Sequence, residues 1–319
     1  MSFHVVIGFG PAGAATARLL AEQGRTVRVV TRSGRSPEPG IEHVALDATD
    51  TQRLTEAARG AAAIHSCAAP PYHRWADDWP PLASSLCAAA EATGAVLVVL
   101  GNLYGYGPVD GPMTEELPLA ATGTKGRVRV AVWEQARKLH EQGRIRAVEV
   151  RASDFFGPGV TDGGHLAARV VPPLLRGRPV TTLGDPDAPH SWTYLPDVAR
   201  TLAEVADEER AWGRAWHVPT QPALSVREMV GRLCAQAGTG PVAVRGLPSA
   251  VVGVASLFSP LIRELKEIRY QFDRPFVVNS SAYEAAFAVR STPVDEQVKA
   301  TLEWWRERLA TSDRQGRQG

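Results

Sequence analysis

The chain has 319 residues, of which 35 are Lys or Arg and 34 are Asp or Glu, so its charges nearly cancel. Hydrophobic residues make up 44% and charged residues 22%, a composition that is typical of globular proteins and excludes a disordered chain. The near-zero net charge also excludes a protein that binds nucleic acid through an overall basic field.

The first half of the chain alternates short apolar runs with alanine-rich segments of helical pattern. Strands are predicted at 3–7, 26–31, 43–46, 62–66, 96–100 and 147–151. Helices are predicted between them at 12–23, 51–58, 82–93 and 127–142. This alternation is typical of right-handed βαβ units, and it predicts an α/β fold of the Rossmann type, a doubly wound parallel sheet with helices on both faces.

The second half is less regular, with frequent prolines after Asp154. We therefore predict a Rossmann domain over 1–155, a smaller, mainly substrate-binding region over 156–310, and a frayed tail at 311–319. A late strand at 216–218 would return to the sheet, so the chain is expected to rejoin the first domain at about 190–220. The apolar stretch 247–262 is short for a membrane span, and we expect a buried or cleft-capping helix there.

The spacing of the cysteines indicates the cellular compartment of the protein. Cys67, Cys87 and Cys234 are widely spaced and form no Cys-x-x-Cys pair, which argues against a disulfide framework and predicts a location in the reducing cytoplasm. The first strand runs straight into a glycine motif, so no secretory signal is predicted. The histidines include no close pair at metal-ligand spacing, so we expect no metal site. We expect no membrane partner either.

The glycine motif is Gly8-Phe9-Gly10-Pro11-Ala12-Gly13, which follows the first strand and opens a helix. In a dinucleotide-binding turn the first glycine allows a tight turn, the second lets a pyrophosphate approach the backbone, and the third lets the helix pack on the strand. The diphosphate lies at the helix N-terminus, where free N–H groups favour anions. The motif therefore predicts a nicotinamide dinucleotide site.

The residues after the next strands bear on the form of the cofactor. Arg32, with Arg35 close behind, stands where an NAD site usually has an acidic residue, so NADP(H) is favoured over NAD. The alternative is a pair of solvated arginines. Asp47 ends the third strand and could contact the adenine, and Cys67 and Ala68 follow the fourth, although ordinary loop roles are equally compatible with these positions.

Taken together, these motifs resemble the extended short-chain dehydrogenase/reductase family, the NAD(P)-dependent epimerase/dehydratase group. The resemblance covers nearly the whole chain, and its segments are 8–13, 64–69, 106–108, 116–118, 151–159 and 194–199. The segment 151–159 is the most specific, and the resemblance implies that Ser153 within it contacts the cofactor. Homodimerisation through helices on the sheet face is implied at the family level only.

The family's catalytic residues are replaced in this chain. The resemblance implies a Tyr-x-x-x-Lys pair on a helix and a Ser or Thr at the end of the preceding strand, yet no lysine here has a tyrosine four residues before it. Counting from Pro118, Lys125 falls at the tyrosine position and Arg129 at the lysine position. Asn102 falls at the strand-end position.

These replacements still allow acid–base chemistry. On a helix, Lys125 and Arg129 would share one face, and their mutual repulsion would favour a neutral amine that can act as general acid or base. Asn102 could donate to an oxyanion, and Tyr104 or Tyr106 could supply a displaced phenol. Alternatively, Lys125 and Arg129 only bind ribose and phosphate, or face solvent.

Three functions are compatible with this pattern. The first is an atypical reductase of the biosynthetic type that uses NADPH to reduce a small, largely apolar carbonyl, enone or imine. The second is a redox-neutral epimerase, isomerase or cyclase that uses the same site. The third is a non-catalytic, NADP-binding regulator, which would also keep the glycines and lose the catalytic residues.

Overall fold

The chain divides into two units in the computed structural model, which describes residues 3–34, 38, 40–161, 163–247, 264 and 266–315. The first unit comprises Met1–Gly107, Glu115–Ala152 and Pro196–Val218, and the second comprises Pro108–Thr114, Ser153–Leu195 and Pro219–Gly319. Most of the apolar stretch 247–262 lies outside the described residues, as does Arg35.

The strands, in chain order, are β1 Phe3–Ile7, β2 Thr26–Thr31, β3 Glu42–Ala45, β4 Ala63–Ser66, β5 Val96–Asn102, β6 Arg146–Ala152, β7 Asp154–Phe156, β8 Val180–Thr182, β9 Trp192–Tyr194, β10 Ala215–His217 and β11 Val244–Gly246. The helices are α1 Pro11–Glu22, α2 Thr51–Ala57, α3 Trp75–Thr93, α4 Thr124–Glu141, α5 Val171–Leu175, α6 Leu195–Asp207, α7 Val226–Ala237, α8 Tyr270–Asp273, α9 Ser281–Phe287 and α10 Val294–Gln315.

Within the described residues, the first unit contains a sheet of seven parallel strands in the order β10-β6-β5-β4-β1-β2-β3. Adjacent residues of β1 face opposite sides: Val5 and Ile7 pack with residues of α2, α3 and α4, whereas Val6 packs with residues of α1 and α6. Helices therefore cover both faces of the sheet. The predicted Rossmann-type α/β fold is confirmed.

Two helices begin at least three residues earlier than the sequence predicts. α3 starts at Trp75 rather than at 82, because the buried rings of Trp75 and Trp79 anchor its first turns. Pro80 and Pro81 lie inside this helix, where they are exposed and each removes one backbone N–H donor. α4 starts at Thr124 rather than at 127, so its first turn includes Lys125.

The strands of the second unit are three residues long. They form two parallel pairs, β7 with β9 and β8 with β11. α7 begins with a capping box, in which Ser225 accepts from the backbone N–H of Glu228 and the Glu228 carboxylate accepts from the N–H of Ser225. α10 continues to Gln315, into the segment for which the sequence predicts fraying. No helix among the described residues has the length and apolarity needed to cross a bilayer.

Candidate functional site

The turn between β1 and α1 has the geometry that a bound diphosphate requires. Gly8 has φ +91°, and a Cβ on it would lie 2.7 Å from the Cα of Ala68. A Cβ on Gly13 would lie 2.1 Å from the carbonyl oxygen of Gly8, so only glycine allows α1 to pack this closely. A Cβ on Gly10 would meet nothing within 4 Å. The backbone of Gly10 is therefore open to a ligand at the N-terminus of α1.

The other predicted residues of this turn shape it by packing. The ring of Phe9 meets that of His43 edge to face at 5.0 Å. Pro11 occupies the first helical position of α1, and the carbonyl of Ala12 accepts from Thr16 Oγ1 at 2.8 Å. The backbone N–H of Cys67 donates to Ile7 at 3.0 Å, and burial raises the pKa of the Cys67 thiol to about 12. The Cys67 thiol is therefore neutral at physiological pH.

A cavity of about 490 Å³ opens at the carboxyl ends of β1 to β4, within the size range of small-molecule sites. It is lined by Ile7, Gly8, Val30, Thr31, Arg32, Leu46, Asp47, Ala48, Thr49, Ala68, Ala69, Pro70, Pro71, Arg74, Asp78, Pro81 and Leu82. The cavity borders Gly8 of the diphosphate turn, and its lining includes two arginines and two aspartates.

The charged residues of this cavity differ in how they are held. Arg74 is bound to Asp78 by two hydrogen bonds of 2.8 and 2.7 Å. The Asp47 carboxylate accepts from the Thr49 N–H and from Thr49 Oγ1, and these bonds lower the pKa of Asp47. Arg32 is exposed, and it forms no hydrogen bond or salt bridge with any residue that the structure describes. Its guanidinium is therefore available to an anionic ligand.

A second cluster lies where β4 and β5 end. The hydroxyl groups of Tyr72 and Tyr104 are hydrogen-bonded at 2.8 Å, and we call these two residues the phenol pair. The indole of Trp75 stacks on both rings, with centroid distances of 4.9 Å to Tyr72 and 6.0 Å to Tyr104. Lys125 is 1% exposed, and its Nζ lies 5.8 Å from the centre of the Tyr72 ring. The lysine is therefore buried beside the half-buried ring of Tyr72.

Arg129 lies one turn after Lys125 on α4 and is 5% exposed. Its Nη2 donates to the carbonyl of Leu100, and its guanidinium lies 4.5 Å from the centre of the Trp79 ring. Burial lowers the pKa of Arg129, which also interacts electrostatically with both members of the phenol pair. Neither Lys125 nor Arg129 faces solvent, so the solvated alternative for these two side chains is wrong.

Asn102 and Tyr106 have local roles in the same turn. Asn102 Oδ1 accepts from the backbone N–H of Tyr104 at 3.1 Å and so fixes the start of the turn. Tyr106 is 1% exposed, and its Oη lies 2.7 Å from both Arg151 Nη1 and His217 Nε2. Burial raises the pKa of Tyr106 to about 12. The hydroxyl of Tyr106 is therefore used inside the protein, whereas that of Tyr104 lies at the phenol pair.

Ser153 belongs to the second unit. Its backbone N–H donates to Thr193 Oγ1 at 3.0 Å, and its own buried Oγ has no hydrogen-bond partner among the described residues. Within the same residues, the side chains of His, Cys, Asp and Glu form no group of three or more that could hold a metal ion.

Sequence reasoning did not identify Tyr72, Trp75 or Trp79 as part of a site. The signal available was position: the segment that contains Tyr72 follows β4, and the carboxyl ends of parallel strands meet at one edge of a sheet. Tyr72 and Tyr104 follow β4 and β5, which are neighbours in that sheet. A search for polar residues just beyond each strand would have found the pair.

Comparison of the chain with protein-family models gives a match. The model of the NAD dependent epimerase/dehydratase family matches residues 5–218, which is more than half of the chain. A search of curated proteins gives no match.

Solved structures share the fold over almost the whole chain. UDP-glucose 4-epimerase from Thermotoga maritima, solved with UDP-glucose, has a TM-score of 0.80 at 15% identity, covering 96% of this chain and 99% of that one. dTDP-glucose 4,6-dehydratase from Bacillus anthracis, solved with NAD, has a TM-score of 0.78 at 16% identity, covering 96% and 97%. MoeE5, in complex with UDP-glucose and NAD, has a TM-score of 0.76 at 21% identity, covering 97% and 100%.

Proposed function

The chain belongs to the NAD dependent epimerase/dehydratase family, and we propose that it is an NADPH-dependent reductase of a small, largely apolar carbonyl, enone or imine. The observation that carries this proposal is the phenol pair, Tyr72 and Tyr104, with Lys125 buried beside it. A reductase must give a proton to its product, and a phenol supported by a cation is suited to that task.

The first unit supplies the residues that would hold the cofactor. The open backbone at Gly10 and the N-terminus of α1 would bind the diphosphate, and the exposed guanidinium of Arg32 would bind a 2′-phosphate. When bound, the nicotinamide dinucleotide phosphate supplies the hydride equivalent for the reduction. Arg32 is the residue that favours the phosphorylated cofactor over NAD, although dTDP-glucose 4,6-dehydratase and MoeE5 were solved with NAD.

We assign the proton transfer to the phenol pair. In a hydrogen bond between two hydroxyls, one donates to the other, and the acceptor keeps its own hydrogen for a third group. We propose that the proton given to a substrate oxygen or nitrogen comes from this pair. Loss of the proton leaves a phenolate, which nearby cations stabilise. Lys125 and Arg129 are such cations, and we assign to Lys125 this electrostatic role because its amine is covered.

A second candidate is a redox-neutral epimerase or dehydratase that acts on a sugar nucleotide. It is supported by the family and by the neighbours, which include a UDP-glucose 4-epimerase and a dTDP-glucose 4,6-dehydratase. The same phenol pair would serve it as acid and base. The two candidates differ in stoichiometry, since only the reductase consumes one NADPH for each product molecule.

Absorbance at 340 nm distinguishes the two candidates. The purified chain is incubated with NADPH and a panel of cyclic ketones, enones and imines, and the products are quantified by mass spectrometry. We expect a loss of absorbance equal to the product formed. Conversion of UDP-glucose with added NAD and no net change in absorbance would instead establish the second candidate. NADPH binding without turnover of either substrate class would leave only the regulatory function.

Two single variants test the assignment of the proton. Tyr104→Phe and Tyr72→Phe each remove one hydroxyl of the pair, and we expect turnover to fall by about 10²-fold or more, the contribution of a general acid. Tyr270→Phe removes a half-buried phenol of the second unit and is the matched control. Full activity in both pair variants would refute the assignment while leaving the reductase activity itself established.

A further inference from the structure

The second unit contains a stack of rings formed by His165, His190, Trp192, Phe272 and Phe276, which we call the histidine–aromatic stack. The ring of Phe272 lies nearly parallel to that of His165, at 4.5 Å and 11°, and to that of His190, at 5.5 Å and 13°. Trp192 lies 4.3 Å from His190, and Phe276 lies 5.3 Å from it. Two imidazoles are therefore embedded among three apolar rings.

Both ring nitrogens of one imidazole in the stack, that of His190, have hydrogen-bond partners. His190 Nδ1 lies 3.1 Å from the carbonyl oxygen of Gln271, and His190 Nε2 lies 2.9 Å from Asp154 Oδ2. Burial alone would raise the pKa of Asp154, but the hydrogen bond and charge of His190 lower it below its usual value. Asp154 is thus ionised at neutral pH. His190 has no ring nitrogen left for a ligand.

The other imidazole keeps one nitrogen open. His165 Nε2 is hydrogen-bonded to Thr182 Oγ1, whose single hydrogen is donated to the carbonyl of Leu183 at 3.2 Å. Both bonds form together only in the tautomer whose ring hydrogen lies on Nε2, because Thr182 Oγ1 then accepts from His165. Burial lowers the pKa of His165 to about 4, so the ring is neutral at physiological pH. Among the described residues, no group donates to the lone pair on His165 Nδ1.

The surroundings of that lone pair define what could bind. His165 and Phe272 are both half-buried, so a polar acceptor and an apolar ring reach the surface together. The Asp154 side chain is 23% exposed, and its charge acts on His165, as does that of the exposed Arg169. A ligand must bring an N–H or O–H group to Nδ1. An anionic group would meet a lone pair and an ionised carboxylate instead.

We propose that the second unit binds a neutral, planar ligand at the histidine–aromatic stack, with an O–H or N–H group of the ligand donated to His165 Nδ1. Apolar contact with the part-exposed Phe272 ring supplies affinity, and the single hydrogen bond supplies specificity. The proposal concerns binding to the second unit, and it stands whether or not the first unit catalyses the reaction proposed above.

Three small probes test it on the full chain, with binding followed by ligand-observed NMR titration. Phenol has a ring and an O–H donor, anisole has the ring without the donor, and phenyl phosphate has the ring with an anion. We expect phenol to bind about fivefold more tightly than anisole, the ratio that one ordinary hydrogen bond gives. Phenyl phosphate should bind more weakly than phenol. Equal binding of phenol and anisole, or tighter binding of phenyl phosphate, would overturn the proposal.

Variants of His165 locate the effect. His165→Phe keeps a ring and removes the acceptor, so the preference for phenol should disappear. His165→Asn places an amide oxygen close to the position of Nδ1, so the preference should be kept. The control is His73→Phe, at an exposed histidine of the first unit, and it should leave the ratio unchanged. A preference that survives in His165→Phe, or is lost in His165→Asn or in His73→Phe, would overturn the proposal. Circular dichroism establishes whether each variant is folded. If a variant is not folded, the ratio of phenol to anisole affinity in the wild type decides whether the proposal holds.

Discussion

Stability in mild acid depends on a buried pair of histidines in the first unit. His4 Nδ1 lies 3.1 Å from His65 Nε2, and Arg25 Nη1 lies 3.2 Å from His4 Nε2. A guanidinium can only donate, so His4 Nε2 accepts and both rings are neutral in the folded protein. Burial, followed by the charge of Arg25, lowers the pKa of His4 from 6.5 to about 4. Burial also lowers the pKa of His65.

The sign of the effect follows from proton linkage. Between pH 6.5 and pH 4 the unfolded chain binds a proton at His4 that the folded chain does not, so stability falls as the pH falls through this range. A shift of one unit corresponds to about 1.4 kcal/mol, so the full effect below pH 4 is about 3 kcal/mol. Between pH 7 and pH 5 the loss from His4 alone is about 2 kcal/mol.

The variant His4→Gln removes the titrating group. Free energies of unfolding are measured by urea denaturation at pH 7 and at pH 5 for the wild type, for His4→Gln and for His73→Gln, an exposed control. The decrease between the two pH values should be about 2 kcal/mol smaller in His4→Gln than in the wild type, and unchanged in His73→Gln. Any general destabilisation by the substitution cancels in this difference. The same decrease in all three proteins would refute the reasoning.

Three further predictions concern the first unit. Gly13→Ala should lower the melting temperature and weaken NADPH binding, because its Cβ would lie 2.1 Å from the Gly8 carbonyl oxygen. The control is Gly231→Ala, whose Cβ meets nothing within 4 Å and which should leave both quantities unchanged. Equal melting temperatures of the two variants would contradict the packing argument. Arg32→Asp should weaken NADPH binding far more than NADH binding in calorimetric titrations, and an equal loss would remove the preference for NADP(H). Lys125→Met should abolish turnover and leave the dissociation constant of NADPH nearly unchanged, whereas unchanged turnover would exclude Lys125 from the chemistry.

The parts of the fold that are set by local pattern could be predicted closely. The bounds of β1 and β2 match the predicted 3–7 and 26–31, because runs rich in β-branched residues end there at glycine- or charge-containing turns. The start of α3 could not be predicted, because Pro80 and Pro81 normally end or begin a helix. Here the tertiary packing of two tryptophans on the preceding turns overrides that preference.

Local sequence pattern alone does not predict the phenol pair. Tyr72 and Tyr104 are 32 residues apart, and they meet only because β4 and β5 are neighbours in the sheet. Nor could the sequence separate Tyr104 from Tyr106, which lie two residues apart in one turn. Tyr104 is half-buried, whereas the hydroxyl of Tyr106 is bound to Arg151 and His217. That difference depends on side chains from β6 and β10, far along the chain.

The burial of Arg129 is the strongest physical reason to regard this first-unit cluster as functional. A buried guanidinium loses several kcal/mol of hydration, which good hydrogen-bond and charge partners must offset. Arg129 recovers only part of that loss, because it bonds to one carbonyl and one indole face, and its Nε has no partner among the described residues. The carboxylate of Glu149, which acts on it electrostatically, is already bound to Arg151 at 2.7 Å. Stability alone therefore does not account for a cation here, and the role proposed above, stabilisation of negative charge on the phenol pair, would account for it.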